Sequence, residues 1–324
     1  MKKICGILVF TVLFFTVKCF GGNYISNSGQ TKFPGNPSSP KKDSVKKADS
    51  KDTADEDDGP DADSVRSYAF GLNYGSDQQY HGVHSNLKLP YLQPNFTYTA
   101  PKGFYCELLD QYIIGGGSKY NAFAVDPGWN IDLADNTTLN FNWSHFFLGN
   151  HPPQILASVD ISNTIETYIE QSIGETEGKL SVDYNVYKRT SKVKTPNDFI
   201  ISPEVSHDFK IKLGKKSSLT LEPDGSIDFG TRNSFTHAQA NANNNEPASK
   251  KDSLKNNSSF GTLDYLLTFN VDYKVGGFEF EPGISYDTPL YSVPGVPSKP
   301  IAYLSIALTY TIDHKIKPAK KPTH

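Results

Sequence analysis

The stretch HGVHSN (81–86) contains residue types that hydrolases and metal sites use. His84 comes directly before Ser85, and adjacent residues of a strand point to opposite faces, so His84 cannot act as a base for Ser85. His81 and His84 could bind a metal ion from an outer loop, but no further His or Cys clusters with them in the sequence. We therefore favour a plain loop over a site.

The residues Ser206, His207 and Asp208 include all three types of a catalytic triad. Because they are adjacent, they cannot form the hydrogen-bond chain that a triad requires. We therefore predict no catalytic residues, no enzyme activity, no bound metal and no cofactor. His207 would also lie in mid-strand on an apolar face, which is an unfavourable place for an imidazole.

Carboxylates are the remaining candidates for chemistry, and many lie in segments that alternate apolar and polar residues. Alternation of period two is typical of a strand with one apolar face. Five such segments carry a proline in the apolar phase: YLQPNFTYT (91–99), FAVDPGWNID (123–132), IISPEVSHDF (200–209), LTLEPDGSIDFG (219–230) and FEFEPGISYDTP (278–289). Proline cannot donate to a sheet ladder. We expect the five to sit at bulges or near an interface: Pro94, Pro127, Pro203, Pro223 and Pro282.

Twelve strand candidates follow one another from Ser67 onward. They lie near 67–75, 87–99, 102–112, 121–133, 137–148, 154–170, 178–189, 197–213, 217–230, 262–275, 276–288 and 300–313. Several exceed ten residues, whereas soluble strands mostly have about five or six and tilted membrane strands about 9–11. The connections after even-numbered candidates are tight, and the others are generally longer. The tight ones are APKG (100–103), ADNT (134–137), GETEG (174–178), GKKS (214–217) and VGG (275–277). This predicts an all-β, transmembrane, antiparallel up-and-down β-barrel of about 12 strands with periplasmic tight turns.

The two ends of the chain predict its secretion and the boundaries of its segments. Lys2 and Lys3 precede an apolar run from 4 to 17 that is too short to span a bilayer as a helix and fits a secretory signal. A lipoprotein with lipidated Cys19 is an alternative, although Lys18 stands where a small residue is wanted. We predict a signal peptide at 1–21, a disordered periplasmic linker at 22–66, the barrel at 67–313 and a charged tail at 314–324.

If the apolar phase faces lipid, the opposite phase lines a lumen that is rich in acids. The predicted inward acids are Asp126, Asp132, Asp160, Glu166, Glu170, Asp183, Glu204, Asp208, Glu222, Asp224, Asp228, Asp264, Asp272, Glu279, Glu281 and Asp287. The clear inward bases are Lys210, Lys212 and Lys274. Carboxylates in a dry core would repel each other, so we expect a lumen that is wet or holds cations. A lumen plugged by side chains is the alternative.

Several segments resemble a known group. YAFGLNYGSDQQYHGVHSNLKLPYLQPNFTYTAPKGFY (68–105) resembles the opening strands of TorF-type porins of Bacteroidota. NTIETYIEQSIGETEGKLSVDYNVYK (163–188) is similar to their middle hairpin, and EPGISYDTP (281–289) to their penultimate strand. This chain has His81 where that group commonly has Arg before Gly, and it ends on DHKIKPAKKPTH. The resemblance implies an outer-membrane barrel with porin activity, and it implies no catalytic residues.

These observations predict a passive channel in the cell outer membrane for small solutes, with a lumen that favours cations. The expected partners are outer-membrane lipid and small solutes or cations. A formal net charge of −3 and an isoelectric point near 6.2 argue against nucleic acid as a partner. Three alternatives stay open: a barrel whose outer loop 231–261 binds a partner, an outer-membrane barrel enzyme, and a soluble secreted β-sandwich.

Overall fold

Alternating residues and tight turns fold this chain into an antiparallel sheet that closes on itself. The computed structural model describes residues 65–77, 79–80, 83–84, 90–114, 121–148, 161–187, 197–214, 216–231, 233, 260–290 and 299–315. The strands are β1 (Val65–Gly75), β2 (Gln79–Tyr80), β3 (Val83–His84), β4 (Tyr91–Thr99), β5 (Phe104–Ile113), β6 (Asn121–Ala134), β7 (Thr137–Leu148), β8 (Ile161–Ile173), β9 (Thr176–Tyr187), β10 (Asp198–His207), β11 (Phe209–Lys212), β12 (Ser217–Gly230), β13 (Gly261–Val275), β14 (Phe278–Pro289) and β15 (Ile301–Lys315).

The sheet closes because its first and last strands pair. β1 pairs with β15 on one side and β4 on the other, and β10 closes the circuit by pairing with both β9 and β12. The short β11 continues β10 after a break at Asp208, so the wall has 12 strand positions. β2 and β3 form a separate two-stranded ribbon between β1 and β4. The prediction of an all-β, antiparallel, twelve-stranded barrel is confirmed.

The five tight turns all lie at one end of the barrel, which we call the tight-turn end. A turn of 3-10 helix at Pro101–Gly103 joins β4 to β5, with Lys102 and Gly103 at φ 67° and 85°. Gly174 and Gly276 adopt φ 67° and 62° in the turns before β9 and β14. Glycine takes such values without steric cost, which explains its place in these turns. The longer connections lie at the other end, the long-loop end.

The prolines interrupt pairing without shifting the register. Pairing between β4 and β5 skips Pro94 and resumes in the same register, and the other four prolines likewise interrupt the ladder on one side. The register shifts lie elsewhere, between Asp132/Ala134, Ile161/Asn163 and Asp228/Phe229. Of the two expectations for the prolines, the position at bulges is therefore wrong, and the position near an interface stays a prediction. A missing N–H removes one ladder bond but adds no extra residue to the strand.

Two residues depart from the positions that simple alternation gave them. His207 is the last residue of β10 and not a mid-strand residue, because the strand is interrupted at Asp208 before β11 begins. The N–H of Asp208 donates to the Glu175 carbonyl (2.8 Å), in the register of the β9–β10 pair. Leu263 belongs to the apolar phase, yet it is only 2% exposed. The register shift that pairs Asp228 with Asp264 leaves Leu263 as the extra residue.

Other predictions fall outside the described residues. These are the signal peptide (1–21), the linker (22–64 of the predicted 22–66), the tail beyond 315, His81, Ser85 and most of the loop 231–261. Within the described residues, no helix has the length and apolar character needed to span a bilayer.

Candidate functional site on the inner wall of the barrel

On each strand of the wall, the outer face and the inner face differ in polarity. Large apolar side chains of alternate residues are exposed on the outside, among them Val205, Phe278 and Leu133. The residues between them form the inner wall, which is largely polar and largely buried. Register partners share a face, so the inner wall can be followed from one strand to the next.

The structure places the predicted acids of the described strands in the inner phase. These are Asp126, Asp132, Glu166, Glu170, Asp183, Glu204, Asp208, Glu222, Asp224, Asp228, Asp264, Asp272, Glu279, Glu281 and Asp287. Asp160 lies outside the described residues. The register brings some of them together, since Glu166 faces Asp183 and Asp228 faces Asp264 across neighbouring strands.

Sequence reasoning missed Glu107, Asp198 and Lys179 on the same wall. Glu107 was missed because β5 carries a carboxylate in each phase, Glu107 inward and Asp110 outward, so that its alternation does not reveal the buried face. Glu107 could have been found by comparing β5, whose two phases both carry an acid, with its neighbours β4 and β6, whose apolar and polar faces are easier to distinguish.

The inner wall holds a row of three register partners on three strands. Thr97 of β4 pairs with Glu107 of β5, which pairs with Asp126 of β6. All three side chains are buried. The register rows on either side, Tyr105 with Gly128 and Leu109 with Ala124, carry no charge. We call Thr97, Glu107 and Asp126 the carboxylate row.

Tyr105 crosses the wall next to the carboxylate row. Its ring lies over Gly128, where a Cβ would come within 2.2 Å of the ring carbon Cζ. Its hydroxyl accepts hydrogen bonds from the side-chain amides of Asn140 (3.1 Å) and Asn142 (3.2 Å) on β7. Glycine at 128 is thus what lets a tyrosine of β5 reach β7 across β6.

At the tight-turn end, lysines balance part of the acidic wall. The Lys274 ammonium lies 3.1 Å from Asp272 and 3.0 Å from Glu279. Lys210 lies 2.8 Å from Glu175 and 3.4 Å from Asp208. Because both lysine side chains are nearly half exposed, these attractions are screened by water and salt.

At the long-loop end, the buried carboxylate of Asp198 ties several segments together. It accepts hydrogen bonds from the Tyr187 hydroxyl (2.6 Å), the Thr231 hydroxyl (2.7 Å) and the backbone N–H of Asn233 (2.7 Å). A carboxylate with three donors is well compensated for its burial. Asp198 therefore anchors the chain where it leaves β12.

The described inner wall carries more carboxylates than lysines. Within the described part of the chain, no three His, Cys, Asp or Glu side chains converge into a metal-holding group.

Comparisons with known proteins bear on the fold alone. No family model and no curated protein matches the sequence, so the resemblance to TorF-type porins stays a prediction. Among solved structures, the KdgM porin is 6% identical with a TM-score of 0.44, and the match covers 75% of this chain and 98% of that chain. LpxR from Salmonella typhimurium is 7% identical (TM-score 0.40; 75% and 99%). An outer-membrane channel from Pseudomonas putida F1 is 9% identical (TM-score 0.41; 80% and 100%). These scores carry no functional argument, so function is inferred from the chain's own side chains.

Proposed function

We propose that this chain is an outer-membrane β-barrel that acts as a narrow passive channel for small solutes and favours cations. The observation that carries the proposal is the charge of the inner wall, where carboxylates on most strands face few lysines. A water-filled path lined by acids raises the local concentration of cations and lowers that of anions.

The outer surface supports a place in a membrane. Aromatic pairs sit towards both ends, with Tyr68–Tyr98 (5.4 Å) and Phe278–Tyr310 (4.5 Å) near the tight turns and Phe123–Phe147 (5.8 Å) near the long loops. From Phe278 to Tyr286, the outer face of β14 runs about 26 Å at about 3.3 Å per residue. At a tilt of about 40° this covers about 20 Å, near the apolar band of about 25 Å of known barrels.

The bulky residues of the inner wall support a narrow path. Tyr91, Tyr105, Tyr168 and Tyr187 are all buried inward-phase residues. Barrels of about eight strands are filled by side chains and those of about 16 hold open water, so 12 strands with inward tyrosines favour a small passage.

The test is conductance in planar lipid bilayers with a salt gradient. We expect discrete steps and a reversal potential on the cation-selective side. Neutralising Glu222 and Glu281 together, as Gln, should move that potential towards zero, because both lie on the inner wall. Asp110→Asn on the outer face is the matched control and should change nothing. A silent bilayer, or anion preference in the unmodified protein, would overturn the proposal.

A further inference from the structure

Two acidic side chains face each other across adjacent strands of the wall. Glu107 of β5 and Asp126 of β6 are register partners, and they are only 4% and 5% exposed. Residues directly opposite in an antiparallel pair have Cβ atoms about 4.5–5.5 Å apart, where like charges destabilise the sheet. Two buried carboxylates at this spacing need a positive charge near both of them, or must share a proton.

A third oxygen adjoins the pair from the other side. Thr97 is the register partner of Glu107 on β4 and is 5% exposed. Within the described structure, neither the Thr97 hydroxyl nor the Asp126 Oδ1 atom has a hydrogen-bond partner. Buried hydroxyls without a partner are rare and costly. The hydroxyl and the two carboxylates together offer oxygen ligands from three neighbouring strands.

Protein cations do not neutralise this pair. Elsewhere on the described wall, Lys274 lies within 4 Å of two carboxylates and Lys179 lies 3.7 Å from Glu204. Neither Glu107 nor Asp126 forms an ion pair with a described lysine or arginine. The carboxylate row therefore differs from the lysine-bearing clusters, because no described lysine or arginine supplies it with a positive charge.

We propose that Thr97, Glu107 and Asp126 bind a hard divalent cation, Mg²⁺ or Ca²⁺, on the wall of the barrel. Two carboxylates match the charge of one such ion, and oxygen is the ligand type that both ions take. Water completes the coordination, as is usual for Mg²⁺ held by one or two carboxylates. The inference rests on the proposed function only in that the ion reaches the wall from the lumen.

The test is metal binding by the full chain refolded in lipid vesicles. Mn²⁺ is the probe, because electron paramagnetic resonance separates free from bound ion, and Mg²⁺ and Ca²⁺ are then added as competitors. We expect Glu107→Gln and Asp126→Asn to remove one bound Mn²⁺ per chain or to weaken it by about 10- to 100-fold or more. Asp110→Asn is the matched control, since it neutralises an acid of the outward phase of β5, the strand of Glu107. Equal binding by all three variants would overturn the site.

A second readout works without counting ions. Mg²⁺ should raise the unfolding temperature of the unmodified protein relative to EDTA, and it should do so equally in Asp110→Asn. Glu107→Gln should be at least as stable as the unmodified protein in EDTA, because the repulsion is gone, and should respond less to Mg²⁺. An undiminished Mg²⁺ response in Glu107→Gln would refute the site.

The two proposals fail in different ways. A protein that binds Mn²⁺ through Glu107 and Asp126 but carries no current would refute the channel and leave the site in place. A cation-selective channel whose Mn²⁺ binding is unchanged by Glu107→Gln and Asp126→Asn would refute the site and leave the channel.

Discussion

Replacing Gly128 with alanine should lower the free energy of unfolding of the barrel, because the new methyl group displaces Tyr105. A Cβ at this position would lie 2.2 Å from Cζ and 2.3 Å from the hydroxyl oxygen of Tyr105. Such distances do not occur between real atoms, so the ring must move. Moving the ring takes the hydroxyl away from the amides of Asn140 and Asn142, of which Asn140 is fully buried.

The size of the effect follows from these contacts. Two hydrogen bonds at about 0.5–1.5 kcal/mol each account for about 1–3 kcal/mol. Overpacking in a filled interior typically adds about 1–3 kcal/mol. Replacing a strand glycine returns about 0.5–1 kcal/mol through lower backbone entropy in the unfolded chain. The net loss in the free energy of unfolding should be about 1–5 kcal/mol.

The assay is urea unfolding of protein folded into lipid vesicles, followed by tryptophan emission. The chain has two tryptophans, Trp129 and Trp143, on the strands that Tyr105 bridges. Gly178→Ala on β9 is the matched control, because a Cβ there meets nothing within 4 Å. In a Tyr105→Ala background, Gly128→Ala should cost little, because the clash is gone. The reasoning is refuted if Gly128→Ala costs no more than Gly178→Ala.

Two further predictions concern the outside and the long-loop end of the barrel. A nitroxide spin label can be attached to Cys106 after Cys5 and Cys19 are changed to alanine. Oxygen dissolved in the lipid should relax this label more than a water-soluble nickel complex does, because Cys106 lies in the outward phase of β5. The opposite ranking would contradict the membrane model. Asp198→Ala removes the acceptor of three hydrogen bonds and should lower the free energy of unfolding by about 3 kcal/mol or more, with faster proteolysis within 231–261. Asp198→Asn should lower the free energy of unfolding by less. An unchanged cleavage rate in Asp198→Ala would show that Asp198 does not anchor this part of the chain.

The parts of this fold that depend on local residues could be predicted from the sequence. Alternation of period two sets the strands, and turn residues set the hairpins, as at GETEG, where Gly174 takes a positive φ. Both signals depend on only a few neighbouring residues, so they can be recognised without knowing which strands pair. The breaks in the strands could not be predicted in this way. The break after His207 lies where β9 begins, at Thr176, so that β10 pairs with both β9 and β12 but β11 pairs with β12 alone. Its position therefore depends on the extent of another hairpin.

The carboxylate row shows why the site was harder to predict than the fold. On β5, Phe104, Leu108 and Tyr112 alternate with Tyr105, Leu109 and Ile113, so both phases are apolar and each also carries an acid. Hydrophobicity alone gives no preference for either face. The face becomes visible only in the pairing with β6, in which the ring of Tyr105 lies over Gly128 on the inner wall. The same register brings Glu107 opposite Asp126, so the two carboxylates meet through a pairing between strands that the residues of β5 alone do not reveal.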